Sequence, residues 1–410
     1  MGGRMILHSD MNAFYASVEQ MLDPSLRDRA IAVCGSQETR HGIVLAKSQQ
    51  AKKTGVKTGM AIWQAKQCCP NLTVVPPQYY EYLKMSHLAH DVYRRCTDRI
   101  EPFGMDECWL DVTGCTRDSE ALAQHIRETM KNELGLTVSI GVSFNKIFAK
   151  LGSDMKKPDA VTVISEENYK DKVWPLPASD ILYCGPATTR KLASYGIYTI
   201  GEVAKTDPDF LKRLLGVNGL ALWTFANGQD QSRVMTDGYE APIKSIGHGV
   251  TCISDLLDEE EVWKVILDLS QDVGHRLRAN GFLAKGVQIF VRDNDLYGYE
   301  YQTKLEIPTR SPMEIAEKAF ALFRQRFEWK TKVRALCVRA ISLVSDATPR
   351  QLMLFDDEEH RQKLDKLEGT VDELRRRFGK NIIYNASLMG DIKVREIGAS
   401  EVIMPGMMYM

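Results

Sequence analysis

The sequence predicts an α+β chain of several domains, and three observations predict it. Residues 5–164 alternate short apolar strands with amphipathic helices, in the order strand–helix–strand–strand–helix–strand once 22–78 is treated as an insertion. The same order returns from Lys244 to Val344. Between them, 166–230 hold only short helices joined by glycine turns. A length of 410 residues accommodates this, with 44% hydrophobic and 26% charged residues as in ordinary globular proteins. The net charge of −1 gives no global signal for nucleic acid, although local patches matter more than the total. Nine cysteines at irregular spacings, with no C-x-x-C, suggest neither a zinc site nor a disulfide framework. With no signal peptide before the first strand and no apolar run of membrane-spanning length, a cytoplasmic protein with no membrane partner is expected.

Taken in order, Met5–Ser9 is an apolar strand ending at Asp10. Phe14, Val18 and Met21/Leu22 then fall at helical spacing. On its own, Asp10 reads equally as a helix N-cap or as an acid facing a cleft. Ala30–Cys34, Gly42–Ala46 and Thr73–Val75 read as strands, Ser48–Thr54 and Met60–Cys68 as helices. Tyr80–Arg99 reads as one long helix with a core stripe of Leu83, Leu88, Val92 and Tyr93. Helices at Asp118–Leu134 and Asn145–Ser153 and strands at Thr137–Ser143 and Ala160–Ile164 complete the unit. A sheet with helices on one face is expected, its acids meeting on the other.

In 166–230, Cys184–Thr189 and Leu215–Gly219 each lead into a helix, near Lys191, Lys212 and Arg213. They read as tandem helix–hairpin–helix motifs, whose turn amides at Gly185 and Gly216 could grip a DNA phosphate. Residues 231–242 read as a linker. The second unit has strands Lys244–Cys252, Ala284–Arg292, Glu300–Glu306 and Val333–Val344, with helices Glu259–Ala279 and Pro312–Phe327. Lys244, Lys285, Arg292, Lys304, Arg334 and Arg339 lie on or beside those strands, as a phosphate-tracking face or simply a solvated one. From Ser345 the chain is expected to loosen, apart from a charged helix at His360–Phe378. Gln351-Leu352-Met353-Leu354-Phe355 is apolar within this polar tail, reading as a docking peptide or as a strand folded back.

One stretch reads by itself either as an exposed strand-end acidic pair at a turn or as a site. Asp106 and Glu107 stand side by side among Met105, Cys108, Trp109 and Leu110, after a turn at Pro102–Gly104. Adjacent half-buried carboxylates repel and lose water, so one stays protonated unless a cation offsets both. Mg²⁺ is hard and prefers carboxylate oxygen. With Asp10 on an adjacent strand, three acids suit a two-metal site for phosphoryl transfer. His8 shares the strand face of Asp10 and reads as a packed histidine.

The pattern resembles the Y-family, lesion-bypass DNA polymerases of bacterial type. Its anchors are Asp10–Glu19 (DMNAFYASVE), Gly55–Met60 (GVKTGM), Asp106–Asp111 (DECWLD), Ser143–Lys150 (SFNKIFAK) and Asp154–Pro158 (DMKKP). The resemblance spans residues 5–355 and implies a right-hand polymerase. Its split β-α-β palm would be 1–21 and 79–165, its small α/β fingers 22–78 and its helix–hairpin–helix thumb 166–232. A linker at 233–243, a β-α-β-β-α-β little finger at 244–345 and a tail at 346–410 would follow. It further implies template-directed nucleotide addition to a primer 3′-OH, without proofreading and with low fidelity. Asp10, Asp106 and Glu107 match the ligands of two Mg²⁺ ions, and Met11 would add its carbonyl. Phe14, Tyr15, Lys52 and Lys157 match nucleotide contacts, with Tyr15 as the steric gate against a ribose 2′-OH. Gly185, Gly216, Lys244 and Arg334 would contact DNA, and Gln351, Leu352, Leu354 and Phe355 would bind the sliding clamp. The implied partners are primer–template DNA, a dNTP and that clamp, acting on a monomer.

The chain departs from the family pattern in places. Gln49 stands where a triphosphate-contacting Tyr is common, and Lys52 replaces Arg, keeping a point charge but losing a bidentate fork. Gly104-Met105 replaces a more usual Ser-Ile, and Leu45 in the lid over the nascent base pair is large. Two other readings stay open on the residues alone. A nucleotide cyclase shares an acidic hairpin on such a sheet, but the tandem hairpins, second basic sheet and clamp-like peptide argue against it. A DNA- and clamp-binding scaffold with an inert palm is opposed by the three intact acids.

Overall fold

The computed structural model describes residues 3–348 apart from 37, 39 and 41, together with 358–379, 382–390 and 392–394. The described residues form two compact units, one within 1–35 and 43–240 and one within 36–42 and 241–394.

Unit 1 opens with β1 (Ile6–Met11), α1 (Phe14–Leu22), β2 (Ile31–Cys34), β3 (Val44–Lys47), α2 (Gln49–Lys53), α3 (Ile62–Cys68) and β4 (Thr73–Val75). It continues with α4 (Tyr79–Arg94), β5 (Ile100–Pro102), β6 (Glu107–Asp111), α5 (Ser119–Leu134), β7 (Val138–Ser143), α6 (Lys146–Met155) and β8 (Val161–Ile164). Short helices follow: α7 (Tyr169–Val173), α8 (Pro186–Ala193), α9 (Ile200–Lys205), α10 (Pro208–Leu215) and α11 (Val217–Ala226). The main sheet has the order β5-β6-β1-β7-β8, with β1 antiparallel to both neighbours and β7 parallel to β8. A separate sheet, β3-β2-β4, forms within the insertion.

β1 runs two residues further than expected, so Asp10 lies inside a strand and not at its end. The turn into α1 is made by Ala13 at φ 49°, and no side chain caps that helix, which removes the N-cap reading of Asp10. The expected helix to Arg99 stops at Arg94, because the chain must turn to enter β5. Thr97 Oγ1 donates to the Asp111 carbonyl at 2.7 Å and fixes that turn. The buried face of α4 is Tyr82, Met85, Ala89, Val92 and Tyr93, while Leu88 is exposed. Of the expected stripe, Leu83, Val92 and Tyr93 pack on the core and Leu88 does not.

Helices cover both faces of the main sheet, correcting the expected single layer. Leu7 and Met11 of β1 join α4 and α5 in one core. The alternate residues Ile6 and His8 face α6, which packs on β1 and β7. Glycine makes that approach possible: a Cβ on Gly141 would lie 1.8 Å from the Ala149 carbonyl oxygen. Only the Asp10 end of the strand lies beyond α6.

Of the two hairpins, Gly216 at φ 68° joins two true helices, and Gly219 lets α11 cross against the Leu211 carbonyl. The first is preceded by a single 3₁₀ turn at Ala178–Asp180, not by a helix. The first half of the expected linker is packed on unit 1. Val234 is buried against Trp109, the Met235 amide donates to Glu101 at 3.0 Å, and Arg94 pairs with Asp237 at 2.7 Å.

Unit 2 contains β9 (Ile246–Leu256), α12 (Glu259–Ala279), β10 (Phe282–Asp293), β11 (Gly298–Thr309), α13 (Pro312–Arg326), β12 (Val333–Ser345) and α14 (Glu358–Phe378). Its sheet order is β11-β10-β12-β9. The charged helix expected at His360–Phe378 forms as α14, and it is docked on the unit. Arg278 pairs with Glu368 at 2.9 Å and Asp372 at 2.7 Å, and Arg310 pairs with Asp365 at 2.6 Å. Leu388 beyond α14 is buried in the core of the unit. The peptide 351–355 lies outside the described residues.

Candidate active site

Strand register brings the three acids together. Asp10 on β1 faces Glu107 across the antiparallel pair with β6. Asp106 occupies the preceding turn, where its carbonyl accepts from the Met11 amide at 2.9 Å. That turn needs Gly104, which sits at φ 98°. It is pinned as well. Met105 is buried, its carbonyl accepts from Ser86 Oγ at 2.6 Å, and the Phe103 amide donates to the Glu107 carbonyl at 2.8 Å. Gly104-Met105 therefore holds the hairpin through packing and these two bonds.

The electrostatics are those of crowded anions. Burial pushes the Asp106 carboxyl up to about 7, and the neighbouring Glu107 and Asp10 charges add to the rise. Burial also raises Asp10, to about 6, against the pull of Lys157. Lys157 Nζ donates to Asp10 Oδ2 at 2.6 Å and to Asp154 at 2.7 Å. Burial alone would raise Glu107, but His8 and the Lys150 ammonium hold it down at about 2. Lys150 Nζ stands 2.5 Å from Glu107 Oε2.

His8 is fully buried, which lowers its pKa to about 4 and leaves it neutral. The Ser153 hydroxyl has one proton and donates it to the Lys150 carbonyl at 2.7 Å. His8 Nδ1 lies 2.8 Å from Ser153 Oγ. Its Nε2 lies 3.3 Å from Glu107 Oε2. Lys150 is thus the main cationic partner of Glu107, a role that sequence reasoning missed. Its spacing one turn beyond Lys146 was the available signal.

The donor set suits a hard divalent cation: three carboxylates and the Met11 backbone near one strand end, with Asp10 and Asp106 raised by burial and by the neighbouring Glu107 charge. Among the described residues, no three acidic, histidine or cysteine side chains converge as closely as in a filled metal centre. Lysines lie on two of the acids instead.

Tyr15 is half-buried and stacks on Tyr82 with ring centroids 4.2 Å apart. Tyr82 in turn donates to the buried Glu19. Phe14 is 3% exposed, so its ring belongs to the core and only its main chain could face a nucleotide. Lys52 is exposed on α2. Burial and the Lys52 charge lower the pKa of Lys47, which donates to Thr58 at 3.0 Å.

Gly185 and Gly216 are exposed at the starts of α8 and α11. Lys191 donates to the Leu214 carbonyl at 2.6 Å, bridging the hairpins. In unit 2, Lys244 is exposed before β9. Arg334 is half-buried where the register of β12 shifts, out of step with the outward row Ala335, Cys337 and Arg339. The outward sheet face instead presents Arg292, Lys304 and Arg339 among Gly247, Gly249, Gly286 and Gly298.

Comparison with known proteins places this geometry. Residues 9–154 match the family model described as the impB/mucB/samB family, and 243–354 match that of its C-terminal domain. The chain is 49% identical over 391 residues to "DNA polymerase IV" of Acetivibrio thermocellus, covering 95% of this chain and 98% of that protein. It is 37% identical over 401 residues to "DNA polymerase IV 1" of Bacillus subtilis, covering 97% and 96%. A solved Y-family DNA polymerase chimera shares the fold with a TM-score of 0.73 at 23% identity, over 83% of this chain and 99% of that one. The chain belongs to the impB/mucB/samB family and is a bacterial Y-family DNA polymerase.

Proposed function

We propose that this DNA-directed DNA polymerase extends primers across damaged templates at low fidelity, and that Asp10, Asp106 and Glu107 are its catalytic carboxylates. The observation that carries the reading is the Asp10–Glu107 cross-strand pair with Asp106 in the adjoining turn. These three and the Met11 carbonyl would hold two Mg²⁺ ions, which supply a lowered pKa for the primer hydroxyl and charge neutralisation for pyrophosphate. Lys157 and Lys52 bind the triphosphate as point charges, Lys157 from beside Asp10. Tyr15, backed by Tyr82, excludes a 2′-OH from the sugar pocket.

Residues 1–21 and 79–165 serve as palm, 22–78 as fingers, 166–232 as thumb and 244–345 as little finger, after a linker at 233–243. The outward face of unit 2, with Arg292, Lys304 and Arg339, offers the DNA backbone positive charge without side chains at its glycines. The peptide 351–355 serves to dock a monomeric chain on a sliding clamp. No helix among the described residues is long and apolar enough to cross a membrane. Primer extension past an abasic site in Mg²⁺, with a chelator control, tests the reading. Products beyond the lesion support it; extension only to the lesion opposes the translesion role.

A further inference from the structure

We propose that Asn12 is a positioning residue for nucleotide capture, because it locks the loop that carries Lys157. This rests on the reading of Lys157 as a triphosphate contact. Asn12 is 5% exposed, two residues beyond Asp10, and each of its polar groups has a partner. Its amide donates to the Thr137 carbonyl at 2.9 Å and its carbonyl accepts from Ser17 Oγ at 2.8 Å. Its Nδ2 donates to Ser139 Oγ at 2.9 Å. Its Oδ1 accepts from the Asp159 amide at 2.8 Å.

Asp159 sits at φ 54°, a left-handed conformation that a residue other than glycine holds when its surroundings fix it. They do. Arg127 donates to both its carbonyl and its Oδ1 at 3.1 Å, and Lys131 donates to its Oδ2 at 3.2 Å. Two residues earlier, Lys157 reaches Asp10 at 2.6 Å. Asp10 to Asn12 and Lys157 to Asp159 thus make a clasp, two contacts each two residues apart. A lysine has a long flexible stem, so its charge is accurately placed only if its backbone is. Asn12 and Arg127 hold that backbone from opposite sides.

The test is equilibrium dNTP affinity on a dideoxy-terminated primer–template, using the full chain and Mg²⁺. Asn12→Ala is expected to weaken binding about tenfold, the effect of one buried hydrogen-bonded group. Asn12→Asp keeps the acceptor for the Asp159 amide and lets Ser139 donate instead, so it should restore affinity to within about twofold of the parent. Lys157→Ala combined with Asn12→Ala should be no weaker than Lys157→Ala alone. If Asn12→Ala fails to fold, as read by thermal melting, Arg127→Ala tests the clasp from its other side with the same expectation. Parental affinity in Asn12→Ala with weakened Lys157→Ala overturns the clasp and leaves the Lys157 reading standing. Parental affinity in Lys157→Ala overturns both. Additive losses in the double variant also overturn the clasp.

Discussion

Burial pushes the carboxyls of Asp10 and Asp106 well above the ordinary range, with the Glu107 charge adding to both, while Glu107 itself is held down by His8 and Lys150. For an acid whose folded pKa is raised, the folded state holds more protons than the unfolded one between the two values. Stability from Asp106 is then present at acid pH and lost as pH rises through about 7. In chelator, Asp106→Asn should melt a few degrees above the parent at pH 8, with the gap closing toward pH 4. An equal gap at both pH values would mean that the buried charge of Asp106 is not what strains the site. The sugar pocket makes a separate prediction. Tyr15→Ala should raise ribonucleotide insertion relative to deoxynucleotide by at least about tenfold, the scale of one steric contact. Unchanged sugar selectivity would remove Tyr15 as the gate.

Elements explain what could and could not be read in the sequence. The strand cores of both sheets were legible because runs such as Val138–Ser143 alternate or stay apolar between turn signals. The acids stood out because two adjacent carboxylates inside such a run are costly unless exposed at the turn or offset by a cation, and the pair alone did not separate the two. α6 on the sheet was not, since periodicity says where a helix is apolar but not which face of a sheet accepts it. Gly141 decides that, and Gly141→Ala should therefore destabilise unit 1 by about 3 kcal/mol or more in urea, with overpacking against the Ala149 backbone. The docking of α14 was equally hidden, because its partners Arg278 and Arg310 look like ordinary surface charges in one dimension. Arg278→Ala leaves Glu368 and Asp372 without their main cation at a half-buried contact. A loss of about 2 kcal/mol in chemical denaturation is expected. No change would make α14 a loosely attached tail.

For the whole molecule, a net charge of −1 coexists with a cationic sheet face in unit 2 and with lysines laid on Asp10 and Glu107 of unit 1. Charge is arranged locally, so the total hides both features. Family membership covers the two matched regions and assigns polymerase activity, while the proposal for the catalytic carboxylates rests on the register of β1 against β6. The most direct measurement is single-nucleotide insertion in Mg²⁺ by the intact chain, beside Asp106→Ala and Glu107→Ala. A fall of at least about 10³-fold in kcat with primer–template affinity retained is expected, since the removed charge acts on the transition state. Insertion at the parental rate by either variant would contradict the assignment of these carboxylates.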